Sequence, residues 1–230
     1  MDSLETELER AYDLDVTALA DAIESIGFEC TDCGHCCRGS DDDHTATVFP
    51  DEVRDLQTAT ESAWRDVARP MPYGLSPGSD GTLEGVTFEW ALQTNGCGDC
   101  TFYDGGDTAA AREDDGTDTC GGCSVYDHRP LICRTYPFSV SLAGTSQPLG
   151  TAVEESGMVR AHECEGLGRE IDRDDALALA RTVKTRAIRE LEEAIGVRDA
   201  YDGTRAPPSE ILVYDSEGSK TLDGAVYRNG

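Results

Sequence analysis

Ten cysteines, Cys30, Cys33, Cys36, Cys37, Cys97, Cys100, Cys120, Cys123, Cys133 and Cys164, stand in groups along the chain, and grouped thiols are the natural ligands of soft metal ions. The first group reads Cys30-Thr31-Asp32-Cys33-Gly34-His35-Cys36-Cys37. Three thiols at intervals of three residues let one tight loop aim several sulfurs at a common point, the arrangement that zinc or an iron–sulfur cluster needs. The second group, Cys97-Gly98-Asp99-Cys100, then nineteen residues, then Cys120-Gly121-Gly122-Cys123, has the spacing of paired knuckles around a four-cysteine zinc site. Gly98, Gly121 and Gly122 take away the Cβ where the backbone must curl around an ion. Blander readings fit less well. Buried cysteines used as small hydrophobes have no reason to recur in such pairs. A disulfide framework is disfavoured inside a cell. A thiol–disulfide redox protein, the lesser alternative, would need one low-pKa cysteine at a helix start, and here many other thiols crowd it.

These segments resemble a known family, the CxxCxxCC cysteine-cluster proteins, also called YkgJ-like, described as zinc- or iron-chelating domains. The resemblance rests on Cys30-x2-Cys33-x2-Cys36-Cys37, on Cys100-Thr101-Phe102, on residues 123–138 with Arg129-Pro130 and Cys133-Arg134, and on Cys164-Glu165-Gly166-Leu167-Gly168. It implies eight ligands: Cys30, Cys33, Cys36, Cys37, Cys100, Cys123, Cys133 and Cys164. Cys97 and Cys120 look like additions. Two partitions follow. In the preferred one the eight family thiols fill the metal site or sites, with Cys97 and Cys120 auxiliary. In the other, Cys97, Cys100, Cys120 and Cys123 hold one zinc while four of the remaining thiols hold a second centre. Cys36 and Cys37 leave successive Cα atoms in different directions, which argues against both binding one ion and leaves one of them to bridge or to line the pocket. The cofactor is an iron–sulfur cluster or zinc. Enzymes that methylate flagellin lysines carry a similar cysteine cluster with iron–sulfur chemistry, and that resemblance alone favours [4Fe–4S].

Arg129 and Arg134 flank Cys133 and are candidate cofactor-binding residues, since a guanidinium offsets the negative charge of a tetrathiolate centre. They serve equally well to bind an anionic substrate or to pair with nearby carboxylates. His35, His128 and His162 lie near cysteines, but with ten thiols available their expected role is hydrogen bonding or simple exposure. Tyr136-Pro137-Phe138 is expected to pack against the cluster loop.

The elements that must carry these residues are short. Leu4, Leu8, Leu19, Ile23 and Ile26 recur at helical intervals and Gly27 is placed as a stop, so helices lead into the first cysteine loop. A short strand over residues 47–49 precedes Pro50, and Val53, Leu56, Trp64 and Val67 suggest one bent helix or two short ones. Val86, Phe88, Trp90 and Leu92 alternate as a half-buried strand that delivers Cys97, and Phe138, Val140 and Leu142 alternate as another. A long helix is expected over about residues 172–195, ending at Gly196. Beyond it a hairpin pairs residues 211–214 with 220–227 around Glu217-Gly218. The fold class expected is α+β: a small, largely helical and irregular metal-organised domain with short strands and a long C-terminal helix. Residues 1–29 form a helical lead and 30–168 the cysteine-cluster domain, with an acidic insert at 104–118. Residues 169–230 are the long helix and a tail on the same domain.

Composition narrows the partners. The 230 residues allow one large domain or one with an elaborate insertion, and a 38% apolar fraction builds a core with little to spare. Forty-six acidic against nineteen basic residues give a net charge of −27, which disfavours nucleic acid and anionic membranes. The acids are spread along the whole chain, the pattern of a haloarchaeal-type acidic protein. At molar salt the Debye length falls to about 3 Å, so self-repulsion is screened. Melting temperature is therefore expected to rise with KCl over the molar range, and indifference to salt would refute this reading. No basic-then-apolar leader follows Met1, so the expected location is cytoplasmic. The longest uncharged span, residues 135–153, holds Pro137 and Pro148 and is too polar for a bilayer helix. With no phosphate loop, nucleotide fingerprint, HExxH or nucleophile elbow, metal binding of a structural or chelating kind ranks above an iron–sulfur redox or group-transfer enzyme. No residue is singled out as catalytic.

Overall fold

A computed structural model describes residues 3–39, 46–78, 81–105, 122–142 and 152–228. Cys120, Gly121 and all but the first two residues of the 104–118 insert lie outside them. Among the described residues 38% are helical and 24% lie in strands, so the α+β class holds while the expectation of a largely helical chain overstates the helix. The short strands account for the difference, because several pair as only two or three residues and leave little periodicity to read. No helix of the described residues is long and apolar enough to cross a membrane.

The chain divides into two compact units, one built from Met1–Asp13, Thr45–Gln93 and Thr185–Gly230, the other from Leu14–His44 and Thr94–Lys184. In the first unit, the helix Leu4–Tyr12 starts at Ser3, whose Oγ accepts from the Thr6 N–H. The helix Pro50–Thr60 starts with Pro at its first position, and the Glu52 carboxylate accepts from the Phe49 N–H at 3.0 Å. Glu61 in the left-handed region ends it, and Trp64–Val67 forms a separate turn, so the region is two helices. The expected strand through residues 86–92 breaks in two. Glu89 adopts φ 67°, and the chain leaves Leu83–Phe88 in one sheet to enter Trp90–Leu92 in another. The four-stranded sheet runs Gly218–Lys220, Ile211–Asp215, Leu83–Phe88, Leu75–Pro77, with its middle pair parallel. Trp90–Leu92 sits between Thr47–Val48 and Ala68–Pro70. Val53, Leu56, Trp64, Trp90, Leu92, Leu212 and Val213 form the core of this unit, with the two Trp rings meeting edge to face at 5.2 Å.

An ionic network crosses that core. Lys220 Nζ lies 2.8 Å from Asp215 and 2.7 Å from Glu217, and the Asp215 carboxylate also accepts from Trp90 Nε1 at 2.9 Å. Arg54 grips Glu217 through both terminal nitrogens at 2.7 and 3.1 Å. The long helix is Arg173–Ala200 and does not stop at Gly196. That glycine serves close approach instead, since a Cβ there would meet the Ser216 side chain at 2.5 Å.

In the second unit the helix Val16–Ile26 is capped by Asp15, which accepts from the Thr17 and Ala18 N–H groups, and it stops at Gly27 as expected. Its buried Leu19 and Ile23 face a three-stranded antiparallel sheet ordered Phe138–Val140, Val159–His162, Ala152–Ser156. Arg173 at the start of the long helix ties back to Asp21 and Glu24, each at 2.6 Å. All nine described cysteines belong to this unit and all are free thiols.

Candidate metal centre

The loop that follows Gly27 is fastened before its first thiol. Phe28 bridges Leu167, the Glu29 N–H donates to Gly166 O at 3.0 Å, and the Gly168 N–H donates to Gly27 O at 3.0 Å. This clasp places Cys30 and Cys164 at the same end of the unit although 134 positions separate them in the chain. Asp32 and Gly34 then take left-handed conformations, φ 52° and 68°, and fold the chain tightly; a Cβ on Gly34 would run into the Tyr103 ring. The turn closes in a 3-10 helix, His35–Cys37. There the Cys36 and Cys37 sulfurs come within 4.0 Å of each other, so the expectation that successive residues would send them apart is corrected by the tight winding of that turn.

A small ribbon supplies the next thiols. Tyr103–Asp104 pairs with Gly122–Cys123, and Phe102 O accepts from both the Ser124 N–H and its Oγ, at 2.9 and 3.0 Å. The Cys100 N–H donates to Cys37 O at 2.8 Å, which docks the ribbon against the loop. Cys100 itself is buried. Cys133 is half-buried on the helix Leu131–Thr135, whose Ile132 and Thr135 are buried. Cys97 is exposed, its N–H held by Asn95 Oδ1 at 2.8 Å.

Cys36 lies within electrostatic reach of four other thiols besides its neighbour Cys37. Its charge is felt at Cys30, Cys100, Cys123 and Cys164, and Cys33 is felt at Cys164. Burial is the chief cause that pushes the Cys30, Cys123 and Cys164 thiols up, and it takes Cys100 to about 11. The Cys36 thiol is raised far more, first by its hydrogen bond with Cys37 and then by burial. Protons therefore stay on these sulfurs at neutral pH unless a cation replaces them. The donor set fits a thiophilic guest such as zinc or iron, and not an oxygen-seeking ion such as magnesium. Among the described residues no three Cys, His, Asp or Glu side chains are already arranged to hold an ion.

Two guanidinium groups stand beside the thiols. Arg129, one of the sequence candidates, lies over the Tyr126 ring at 3.6 Å, donates to Tyr126 O at 3.0 Å, and opposes the rise at Cys36 and Cys123. The other is Arg38, which the sequence reading missed. It donates to Tyr103 Oη from Nε at 2.9 Å and from Nη2 at 2.8 Å, and to Cys33 O at 3.1 Å. Its position directly after Cys37 was the available signal. Arg134 is exposed on the short helix. Tyr136, expected only to pack, donates to Glu163 O, and burial beside Cys164, Cys36, Glu163 and Cys33 pushes its phenol to about 12. His162 is buried with Nε2 2.9 Å from Ser139 Oγ, whereas His35 and His128 are exposed.

Thiols carried by distant stretches of one unit, with arginine and tyrosine beside them, are the make-up expected of a cysteine-cluster protein. The comparison with known families agrees: residues 29–165, more than half of the chain, match the CxxCxxCC family, described as a putative zinc- or iron-chelating domain, and the chain belongs to that family. No curated protein matches it, and no solved structure does.

Proposed function

We propose that the second unit chelates zinc or iron through thiolates and that the bound metal has a mainly structural role. The observation that carries this reading is that Cys30, Cys100, Cys123 and Cys164, from four stretches of chain that little regular structure joins, all lie within electrostatic reach of Cys36. Cys30, Cys33, Cys36, Cys37, Cys100, Cys123 and Cys164 are the ligands this reading favours, with Cys133, Cys97 and Cys120 as the remaining thiol candidates. Bound metal supplies the positive charge that lets these sulfurs ionise at neutral pH, and it cross-links segments far apart in sequence. Arg38 and Arg129 offset the negative charge that such a centre keeps.

Elemental analysis of anaerobically purified protein, with its absorption spectrum, tests this. Stoichiometric zinc in a colourless protein, or iron with a visible shoulder bleached by dithionite as for [4Fe–4S], supports thiolate chelation. Protein that holds no metal and takes none up would overturn it. The net charge of −27 further supports a place in a salt-rich cytoplasm, which the dependence of melting on KCl tests.

A further inference from the structure

A lysine, Lys220, is buried in the core of the first unit, although the chain uses arginine for seventeen of its nineteen basic residues. An amine, unlike a guanidinium, gives up its proton when water is excluded and then acts as a nucleophile. Lys220 Nζ lies 2.8 Å from Asp215 Oδ2, and neither side chain is more than 2% exposed. Both oxygens of that carboxyl group are engaged: Oδ1 accepts from the Glu217 N–H at 3.0 Å, and Oδ2 accepts from Trp90 Nε1 at 2.9 Å. The Glu217 side chain brings a second carboxylate to 2.7 Å from Nζ, where Arg54 fixes it. The Trp64 ring lies 5.2 Å from the same nitrogen. Amine, carboxyl group, backbone donor and proton carrier thus stand in contact within an aromatic core.

We propose that Lys220 and Asp215 condense in the folded chain into an internal amide that joins Nζ to Cγ, with Glu217 as the proton carrier. The ion pair in the structure is the pair of reactants. In a site closed to water, passage of a proton from the ammonium to the carboxylate gives the neutral amine and acid, the reactive forms. Nζ attacks Cγ, and the charge that develops on Oδ1 meets the Glu217 N–H. Glu217 takes a proton from the attacking nitrogen and returns it to the departing Oδ2 hydroxyl. The Cγ–Oδ2 bond breaks, the N–C bond stays, and one water leaves; the step consumes no oxidant and no cofactor. The amide ties Ile211–Asp215 covalently to Gly218–Lys220, its neighbour in the four-stranded sheet. It is independent of the thiols, which belong to the second unit.

Intact-mass spectrometry of the full chain, sampled over days at neutral pH, tests this. A species lighter by one water is expected to accumulate in folded protein and not in chain kept in urea. Trypsin should then leave the Lys220–Thr221 bond uncut and release residues 206–228 as one internally linked peptide. Lys220→Met and Asp215→Ala should each remove the lighter species, and Glu217→Gln should slow its appearance by about a hundredfold. Should these variants fail to fold, the mass and peptide map of the unsubstituted chain decide alone. A mass that stays constant in folded protein, a water lost instead at an Asp-Gly step such as Asp202-Gly203, or an equal yield of the lighter species in urea overturns the bond. Formation at an unchanged rate in Glu217→Gln overturns the part given to Glu217.

Discussion

Stripping the metal with a strong chelator under reducing conditions is expected to abolish the cooperative melting of the second unit. The local structure around the thiols is too slight to persist unaided: a three-residue 3-10 turn, a ribbon of two-residue strands and a five-residue helix. Structural zinc in small domains contributes about 10–16 kcal/mol, against the roughly 5–15 kcal/mol that holds a whole domain folded. The two units can be followed separately. Both tryptophans, Trp64 and Trp90, lie in the first, while Tyr103, Tyr126 and Tyr136 lie in the second. A partial loss of the tyrosine near-ultraviolet signal and of calorimetric heat is the expected pattern, since five of the eight tyrosines belong to the first unit, with tryptophan emission still melting cooperatively. A metal-free protein whose calorimetric heat is undiminished and whose tyrosine near-ultraviolet signal is unchanged would sink the structural role.

The next largest effect is expected at Lys220, one of two lysines in the chain. Lys220 and Asp215 are almost wholly buried, so Lys220→Met leaves the Asp215 carboxylate without its cation, and about 3–5 kcal/mol of stability in the first unit should be lost. Urea unfolding followed by tryptophan emission measures this, and a loss below about 1 kcal/mol would refute it. Asp215→Asn in the same chain should restore part of the loss, because the orphaned charge goes with it. Acid acts on the same network. Arg54 first, and then Lys220, hold Glu217 down to about 2, so its contribution is complete above the ordinary carboxylate range near 4.5 and is lost as pH falls toward about 2. Glu217→Gln should flatten the stability profile across that window.

The thiols and their family were legible because ligand spacing is local: Cys30, Cys33 and Cys36 reveal a loop at a glance. The helix stop at Gly27 and the existence of the long helix followed from periodicity for the same reason. What escaped was set by contacts between distant residues. Arg38 is remote in sequence from Tyr103, and nothing near either residue shows that they bond. The strand through Trp90 broke because Glu89 turns left-handed, a conformation that glutamate seldom signals. Gly196 was misread as a stop because its reason for being glycine, the neighbouring Ser216, arrives twenty residues later.

The interleaving of the chain bears on how this protein can be cut. A fragment trimmed to residues 29–165 would keep the strand Leu83–Phe88 while discarding its parallel neighbour Ile211–Asp215. It would also sever Gly168, whose amide closes the clasp at Gly27. Such a truncate bares an unpaired sheet edge, an invitation to aggregate, and so the ends of the family match are poor boundaries for expression.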